Sequence, residues 1–225
     1  MTDSHVVLLS SPEAVNADKF GPKAANQAAL GQAGLPIPDG FCISADAYRA
    51  QLKSAGLDKK MIEFGKADFV SARSIAIDLR IELYDGEMDP ALKDEILTAR
   101  QALIDRTGEM MVVRSSALVE DREGSSFAGQ FESFLGLETE NDFITAVRAC
   151  WAALWSVRAL RYMDGHDISA GDTAMGLLVQ PLVTAVASGG GLSQMAAGGM
   201  KINATWGLGE AIAQGEVVPD SYEIA

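Results

Sequence analysis

The sequence predicts an α+β fold that carries a helical insert near the N-terminal third of the chain. Two observations predict it. Short apolar runs bounded by turn residues recur along the chain and are typical of strands, and helical periodicity continues from about residue 59 to residue 106. The order in which these strands and helices follow one another fits an α+β arrangement.

The N-terminal segment is predicted as strand, helix, strand and helix. The apolar run Val6–Leu9 is expected to form the first strand. Pro22 favours the first position of a helix and is followed by alanines, so a helix is expected to begin there and to end at Gly34. A short strand is expected at Phe41–Ser44, and its last residue is expected to cap a helix over residues 45–54.

The insert is predicted to consist of surface helices packed on a core, with no catalytic motif. Asp89-Pro90 marks the start of the second of two long helices. One apolar face is expected from Phe69, Ile75, Ile77, Leu79 and Leu83, and another from Leu92, Ile96, Leu97 and Leu103.

The second half of the chain begins with a predicted buried strand, Met110–Val113. This strand is expected to lead into a polar loop that starts at Arg114 and runs to Gln130. Asn141 is expected to cap a long helix with apolar residues at helical spacing. Further strands are predicted at residues 134–137, 175–183 and 201–206, and the chain ends in an extended segment.

Composition restricts the classes of function. Of the 225 residues, 48% are hydrophobic and 22% charged, which is ordinary for a globular protein. The net charge of -13 argues against nucleic acid or an anionic membrane surface as a partner, because a negative field repels polyanions. No apolar run approaches the ~20 residues that cross a bilayer, so no membrane partner is expected. Cys42 and Cys150 are expected to be buried thiols in a reducing compartment, which favours a cytoplasmic location.

The strongest local signal for chemistry is Arg114 with the hydroxyls of Ser115 and Ser116, followed by the small residues of Gly124–Gln130. Small residues let backbone N–H groups approach a phosphate, and the planar guanidinium suits phosphate oxygens. The alternative is a surface turn in which Arg114 pairs with the carboxylates at positions 120 and 121. Composition alone leaves both open.

Lys23 is the second candidate. It lies in the first turn of the predicted helix beside Gly21, where unpaired N–H groups and the helix dipole favour an anion. A lysine is not favoured at that end of the dipole, so a ligand phosphate would explain it. A solvated surface lysine is the alternative.

A third, weaker signal is Trp206-Gly207-Leu208-Gly209-Glu210, a strand end that opens a short helix and is typical of phosphate-cradling turns. It matches neither a Walker sequence nor a dinucleotide fingerprint. The two histidines, His5 and His166, have no nucleophile motif around them, and no carboxylate and histidine cluster predicts a metal site within the chain.

Taken together, these segments resemble the N-terminal ATP-grasp (PEP/pyruvate-binding) domain of the phosphoenolpyruvate synthase and pyruvate phosphate dikinase family, which includes phenylphosphate synthase and rifampicin phosphotransferase. The resemblance follows the chain in order. It rests on Gly21-Pro22-Lys23-Ala24-Ala25-Asn26, Gly34–Phe41, Val113–Ala117 with Glu120-Asp121, Ser126–Gln130, Cys150–Trp155 with Arg158 and Tyr162, Val179-Gln180, Ser188-Gly189 and Trp206–Glu210.

The resemblance implies that ATP is cleaved in this domain and that a phosphoryl group passes to a carrier histidine on another domain or subunit. Lys23 and Arg114 would bind ATP phosphates as the catalytic cations, with Ser115 beside them. Gly129, Gln130 and Ser133 would line the phosphate loop, and Gln180 with Leu182 would lie at the adenine edge. Magnesium would assist by neutralising charge.

Three features depart from the family pattern. Pro22 replaces a second glycine before the lysine and lacks an N–H for a phosphate. Residues 190–200 replace a Phe-Thr-x-Asp-Pro segment and, with four glycines, are expected to form a mobile loop. The family's magnesium ligands, which lie beyond Tyr222, and its carrier histidine are expected outside this chain, so the second lobe of the ATP-grasp domain is expected to be incomplete.

Different classes of function stay open at this point. The resemblance favours the ATP-binding part of a dikinase-like phosphotransferase that is incomplete as this chain alone. A non-catalytic nucleotide- or partner-binding module is the alternative, and a structural interaction protein is the third.

Overall fold

The structure of the protein is a computed structural model that describes residues 4–119, 131, 133–166, 168–169, 171, 173–196, 198–213 and 215–224. The chain divides into two compact units, Met1–Leu182 and Val183–Ala225. Helices and antiparallel sheets are both present, which confirms the α+β class.

An antiparallel sheet forms the centre of the first unit. Its strands are β1 (Val6–Leu8), β2 (Phe41–Ile43), β3 (Met111–Ala117), β4 (Ser133–Leu137) and β5 (Met175–Pro181). Over the described residues they lie in the order β1-β2-β5-β3-β4, each antiparallel to its neighbours. β2, β3 and β5 are buried almost throughout, because helices cover both faces of the sheet.

The helices of the first unit lie between these strands. They are α1 (Ala17–Phe20), α2 (Pro22–Gln32), α3 (Ala45–Ser54), α4 (Asp58–Phe64), α5 (Phe69–Asp85), α6 (Pro90–Thr107), α7 (Glu140–Ala153) and α8 (Val157–Asp164), with a short 3-10 helix at Pro12–Val15.

Side chains alternate between the two faces of the sheet, so each strand contributes to two cores. The larger core joins Val113 and Leu177 to residues of the helical insert and of α7, including Trp151. The smaller core lies under α2, where Cys42 and Leu178 pack against the alanines of that helix. The α2 face is the one that carries the candidate site.

Helix boundaries follow the capping signals in most places. Ser44 caps α3 by accepting the Ala47 N–H, as predicted. The predicted cap of α7, Asn141, is wrong, because the residue that caps this helix is Thr139. Thr139 and Asp142 form a reciprocal capping box, and this pair outcompetes an asparagine two residues inside it.

The insert contains the predicted helices, but one apolar assignment is wrong. Leu79 and Leu83 are buried as expected, whereas Ile77 lies on the exposed side of α5. The side chain of Phe69 lies outside the described residues. The cause is that α5 carries apolar residues on two sides, and only one side packs on the core.

Among the described residues, the helical stretch Glu140–Asp164 is by length and composition alone long and apolar enough to cross a bilayer. In the fold this stretch consists of α7 and α8, and 56% of its most apolar part is buried inside the protein. Core helices of globular proteins have the same property.

The second unit contains an antiparallel sheet of β6 (Ala187–Leu192), β7 (Met200–Trp206) and β8 (Asp220–Ile224), with the short helix α9 (Glu210–Ala213). The first residues of the predicted mobile loop, Gly190–Leu192, are instead part of β6 and pair with Lys201–Asn203. A continuous backbone ladder outweighs the low strand propensity of glycine there.

Candidate functional site

The N-terminus of α2 lies directly on β3. Gly21, the residue before the helix, has a φ of 78°, and a Cβ at this position would lie 2.0 Å from the Ser116 carbonyl oxygen. The Ser116 hydroxyl accepts a hydrogen bond of 3.1 Å from the Ala24 N–H. Glycine is therefore required at position 21, because any side chain would separate the helix from the strand.

This contact changes the expectation of an open helix N-terminus. Pro22 has no N–H, the Ala24 N–H is bound by Ser116, and the Ala25 N–H donates to the Gly21 carbonyl. Part of the anion-binding capacity that a helix start normally offers is therefore used within the fold. The charge for an anion has to come from side chains.

Lys23 supplies one such charge. Its Nζ donates a hydrogen bond of 2.7 Å to the Ser115 carbonyl oxygen, and the side chain is half-buried. Lys23 is thus anchored and is not a solvated surface lysine.

Arg114 was predicted to lie at the start of a loop, but it lies within β3. It pairs with Leu178 of β5 on one side and with Ser133 of β4 on the other, so its side chain shares the α2 face with Ser116 and Ser133. The pairing of β3 with the full length of β5 extends the strand past its apolar half. Arg114 is half-buried, and no carboxylate among the described residues forms an ion pair with it.

Ser115 is also in the strand, and its side chain is fully buried. By alternation it points to the same face as Val113 and Ala117, which belong to the larger core, away from α2. Its carbonyl, not its hydroxyl, therefore contributes to the candidate site. Contact of Ser115 with a nucleotide stays a prediction.

Gln180 lies on the same face, opposite Val112 and one strand repeat from Arg114. It is almost fully buried, and its Nε2 lies 3.4 Å from the Pro38 carbonyl oxygen. Leu182 follows β5 directly, and its N–H donates to the Met110 carbonyl at 2.7 Å. The structure thus places both predicted adenine-edge residues at one end of β5, while their contact with adenine stays a prediction.

The link before β2 is held beside Gln180 by an ion pair between Asp39 and Arg106, with Nε and Oδ2 2.9 Å apart. Partial burial would by itself raise the pKa of Asp39. The hydrogen bonds from Arg106 and from the Gly40 N–H, with the charge of Arg106, outweigh this and leave that pKa below its usual value. Asp39 is therefore ionised at neutral pH and fixes the position of the link.

Several predicted features lie outside the described residues: Gly129, Gln130, and the carboxylates at positions 120 and 121 that were an alternative partner for Arg114. The roles proposed for them stay predictions.

The glycine motif of the second unit has the predicted strand-turn-helix shape. Gly207 has a φ of 80° directly after β7, and its carbonyl accepts a hydrogen bond of 2.7 Å from the Ser188 hydroxyl. Its N–H donates to the Val186 carbonyl. The motif therefore connects β6 to the turn after β7, and a phosphate-binding role for it stays a prediction.

The described residues contain no group of three or more histidine, cysteine, aspartate or glutamate side chains placed to hold a metal ion. Of the two histidines, His166 stacks on the Tyr162 ring at 4.0 Å and its Nδ1 contacts the Tyr162 carbonyl.

Two concavities of the first unit lie away from Lys23 and Arg114. One of about 420 Å³ is bordered by Leu9 and the link 35–39, and one of about 290 Å³ by α3, Met61 and Thr173. Lys23 and Arg114 line neither of them, and the cations of the second are Arg49 and Lys53 of α3.

Sequence reasoning missed the role of Ser116, which holds α2 on β3, and the reason why position 21 is a glycine. The signal was present: a glycine before Pro22 and a hydroxyl two residues after Arg114. The hydrogen bond between Ala24 and Ser116, which are 92 positions apart, could not be deduced from their spacing.

The junction therefore offers an anchored ammonium and, on the same strand and the α2 face, the side chain of Arg114, which has no carboxylate partner among the described residues. Such a pair can neutralise the charge of a polyphosphate and orient it. It supplies no nucleophile.

Comparisons with known proteins identify the family of the chain. Residues 17–225 match the family described as the pyruvate phosphate dikinase AMP/ATP-binding domain. The chain is 31% identical to a probable phosphoenolpyruvate synthase of Methanothermobacter thermautotrophicus over 90% of its own length, and 33% identical to the phosphoenolpyruvate synthase of Aeropyrum pernix over 91%.

A further relative is the prodigiosin synthesizing transferase PigC of Serratia marcescens, which is 32% identical over 99% of the chain. The alignments cover 31% of the Methanothermobacter protein, 26% of the Aeropyrum protein and 24% of the Serratia protein. The chain thus spans 24–31% of the length of these relatives.

Proposed function

Because the chain belongs to the pyruvate phosphate dikinase AMP/ATP-binding domain family, we propose that it binds the phosphates of ATP at the junction of α2 and β3. The observation that carries this proposal is the contact of the Lys23 ammonium with the carbonyl next to Arg114. Two cations on one sheet face would offset part of the charge of a triphosphate, in a chain whose net charge is otherwise strongly negative, at -13.

We propose further that the nucleotide is used for phosphoryl transfer. A phosphoryl group of ATP would pass to a histidine nitrogen on another domain or subunit, the P–N bond forming as the P–O bond to the nucleotide breaks. Catalysis of such a step relies on positioning and charge neutralisation, which is what Lys23 and Arg114 would supply. Magnesium, when bound, would neutralise further phosphate charge.

The first unit would then be the N-terminal lobe of an ATP-grasp domain with residues 59–106 as a helical insert. Ser133 and Gln180 would lie beside the phosphates and the adenine, respectively, on the α2 face. The relatives named as phosphoenolpyruvate synthases and as a transferase support a phosphotransferase role. A cytoplasmic location is part of the same proposal.

Calorimetric titration of the intact chain with ATP tests the binding step. Replacing Arg114→Gln should weaken ATP about 10–100-fold, since a hydrogen bond to a charged group contributes roughly 1.5–3 kcal/mol. Arg49→Gln is the matched control. Arg49 is an exposed arginine on α3, and its neighbour Tyr48 packs into the larger core, on the sheet face that does not carry the candidate site. The absence of heat at millimolar ATP for the unaltered chain would contradict the proposal.

Transfer is tested separately by mixing the chain with labelled ATP and the carrier-histidine domain of a relative. Acid-labile label on that domain is expected. ATP binding without any such label would instead favour a nucleotide-binding module.

A further inference from the structure

Helix α5 carries a second apolar stripe on the side that faces away from the core. Ala76, Leu79 and Leu83 are buried in the larger core. Val70, Ile77, Ile81 and Tyr84 are 76%, 48%, 51% and 44% exposed. With 100° between successive residues of a helix, the exposed group is centred nearly opposite the buried group.

The spacing of this stripe is that of a coiled-coil seam. With the exposed Ser74, the positions are 70, 74, 77, 81 and 84, which follow one another at intervals of 4, 3, 4 and 3 residues. Such a 3.5-residue repeat keeps a row of side chains facing a partner helix. We call these five residues the α5 seam.

The charges that border the α5 seam have opposite signs on its two sides. Arg73 and Arg80 lie along one edge, and Asp78 and Asp85 along the other. All four are exposed. The Lys60 Nζ lies 4.0 Å from Asp78, at the outer limit of an ion pair, and that carboxylate keeps 56% of its side-chain surface exposed.

This charge pattern selects one partner and one orientation. Arg73 and Arg80 directly precede the seam positions 74 and 81. In a parallel, in-register pair of helices, a residue in such a position lies next to the partner's residue whose number is higher by five. Two copies of α5 then bring Arg73 to Asp78 and Arg80 to Asp85, each in both directions. In an antiparallel pair, arginine would meet arginine and aspartate would meet aspartate.

We propose that the α5 seam is the self-association surface of this protein and pairs in parallel with the α5 seam of a second copy. The five seam positions form an interface at the small end of the range for specific complexes, so association is expected at roughly high-micromolar concentrations. Each copy has a net charge of -13, so the pair forms best where salt screens charges beyond about 8 Å.

Sedimentation equilibrium of the intact chain at ~0.15 M salt tests the proposal. The unaltered chain should show a reversible monomer–dimer equilibrium. Ile81→Glu should raise the dimer dissociation constant at least about tenfold, because it places a carboxylate in the apolar contact. Leu30→Glu on α2 is the matched control, an equally exposed residue outside the seam, and should leave the equilibrium unchanged.

Charge reversal tests the pairing. Arg73→Glu with Arg80→Glu should abolish the dimer, and so should Asp78→Arg with Asp85→Arg, while a mixture of the two double variants should associate. Thermal unfolding of each variant shows that the fold is retained, since all four positions are exposed.

Disulfide crosslinking tests the orientation. Tyr84→Cys chains should crosslink to one another on mild oxidation, because position 84 meets its own copy only in the parallel pair, and Leu30→Cys chains should not. The proposal is overturned if the chain stays monomeric up to about 1 mM, because even a small specific interface associates at that concentration. That result would assign the α5 seam to a different partner. The proposal is also overturned if Tyr84→Cys crosslinks only to Val70→Cys, the antiparallel result.

Discussion

The ammonium of Lys23 donates a hydrogen bond of 2.7 Å to the carbonyl of Ser115, at the point where α2 meets β3. This contact joins residues 92 positions apart in the sequence and places one cation beside the strand that carries another, Arg114. We therefore propose that the two candidate phosphate ligands belong to one site.

Gly21→Ala should destabilise the protein by about 2–4 kcal/mol. Its backbone has a φ of 78°, which costs a non-glycine residue roughly 1–2 kcal/mol, and the new Cβ would clash with the Ser116 carbonyl and add about 1–2 kcal/mol more. Urea unfolding measures the loss. Gly34→Ala is the matched control, because its φ is 81° with no atom within 4 Å of the added Cβ, and it should cost only the backbone part. Equal losses for the two variants would show that the close approach of α2 to β3 is not there.

Ser116→Ala should cost about 1–2 kcal/mol, since it removes the hydroxyl that accepts the Ala24 N–H and leaves that buried donor unsatisfied. The free energy of unfolding in urea is again the measure. Ser133→Ala, an exposed serine on the same sheet face, should change stability by less than about 0.5 kcal/mol. A neutral Ser116→Ala variant would mean that α2 is held by other contacts.

Cys42 should make stability depend on pH in the alkaline range. Burial raises the pKa of this thiol to about 12, so the folded protein keeps its proton while the unfolded chain loses it near pH 9. The unfolded state then binds fewer protons, and the free energy of unfolding should fall by about 1.4 kcal/mol per pH unit above pH 9 from this group.

The Cys42→Ala variant isolates this contribution. Its stability, compared with that of the unaltered protein in urea at pH 8, 9, 10 and 11, should give a difference that changes steadily in favour of the variant above pH 9. A constant difference would indicate that the thiol is hydrated in the folded state and titrates normally.

Much of the fold could be predicted because local signals decided it. Ser44 and Pro22 carry the caps and starts of their helices within four residues of sequence. Where tertiary pairing decided the outcome, prediction from sequence was wrong: Arg114 was assigned to a loop because polar residues follow it, whereas pairing with β5 keeps it in β3. Ile77 fits the periodicity of a core face, but α5 has apolar residues on two sides and only packing distinguishes them.

The residue types of the candidate site could be proposed from the sequence, and its geometry could not. Lys23 and Arg114 were identified from charge and context, but the contact of Lys23 with the strand that carries Arg114 is a long-range contact through Ser115. The sequence also indicated an open helix N-terminus, which Ser116 partly occupies.

In the proposed function Lys23 and Arg114 bind phosphate and not the nucleoside. Calorimetric titration of ATP and of adenosine into the unaltered chain and into Lys23→Met and Arg114→Gln separates the two. We expect each substitution to weaken ATP at least about tenfold and to leave the weaker binding of adenosine unchanged, because only ATP carries the charge that the two cations neutralise. ATP affinity that stays the same in both variants, or that falls together with adenosine affinity, would contradict the proposed function.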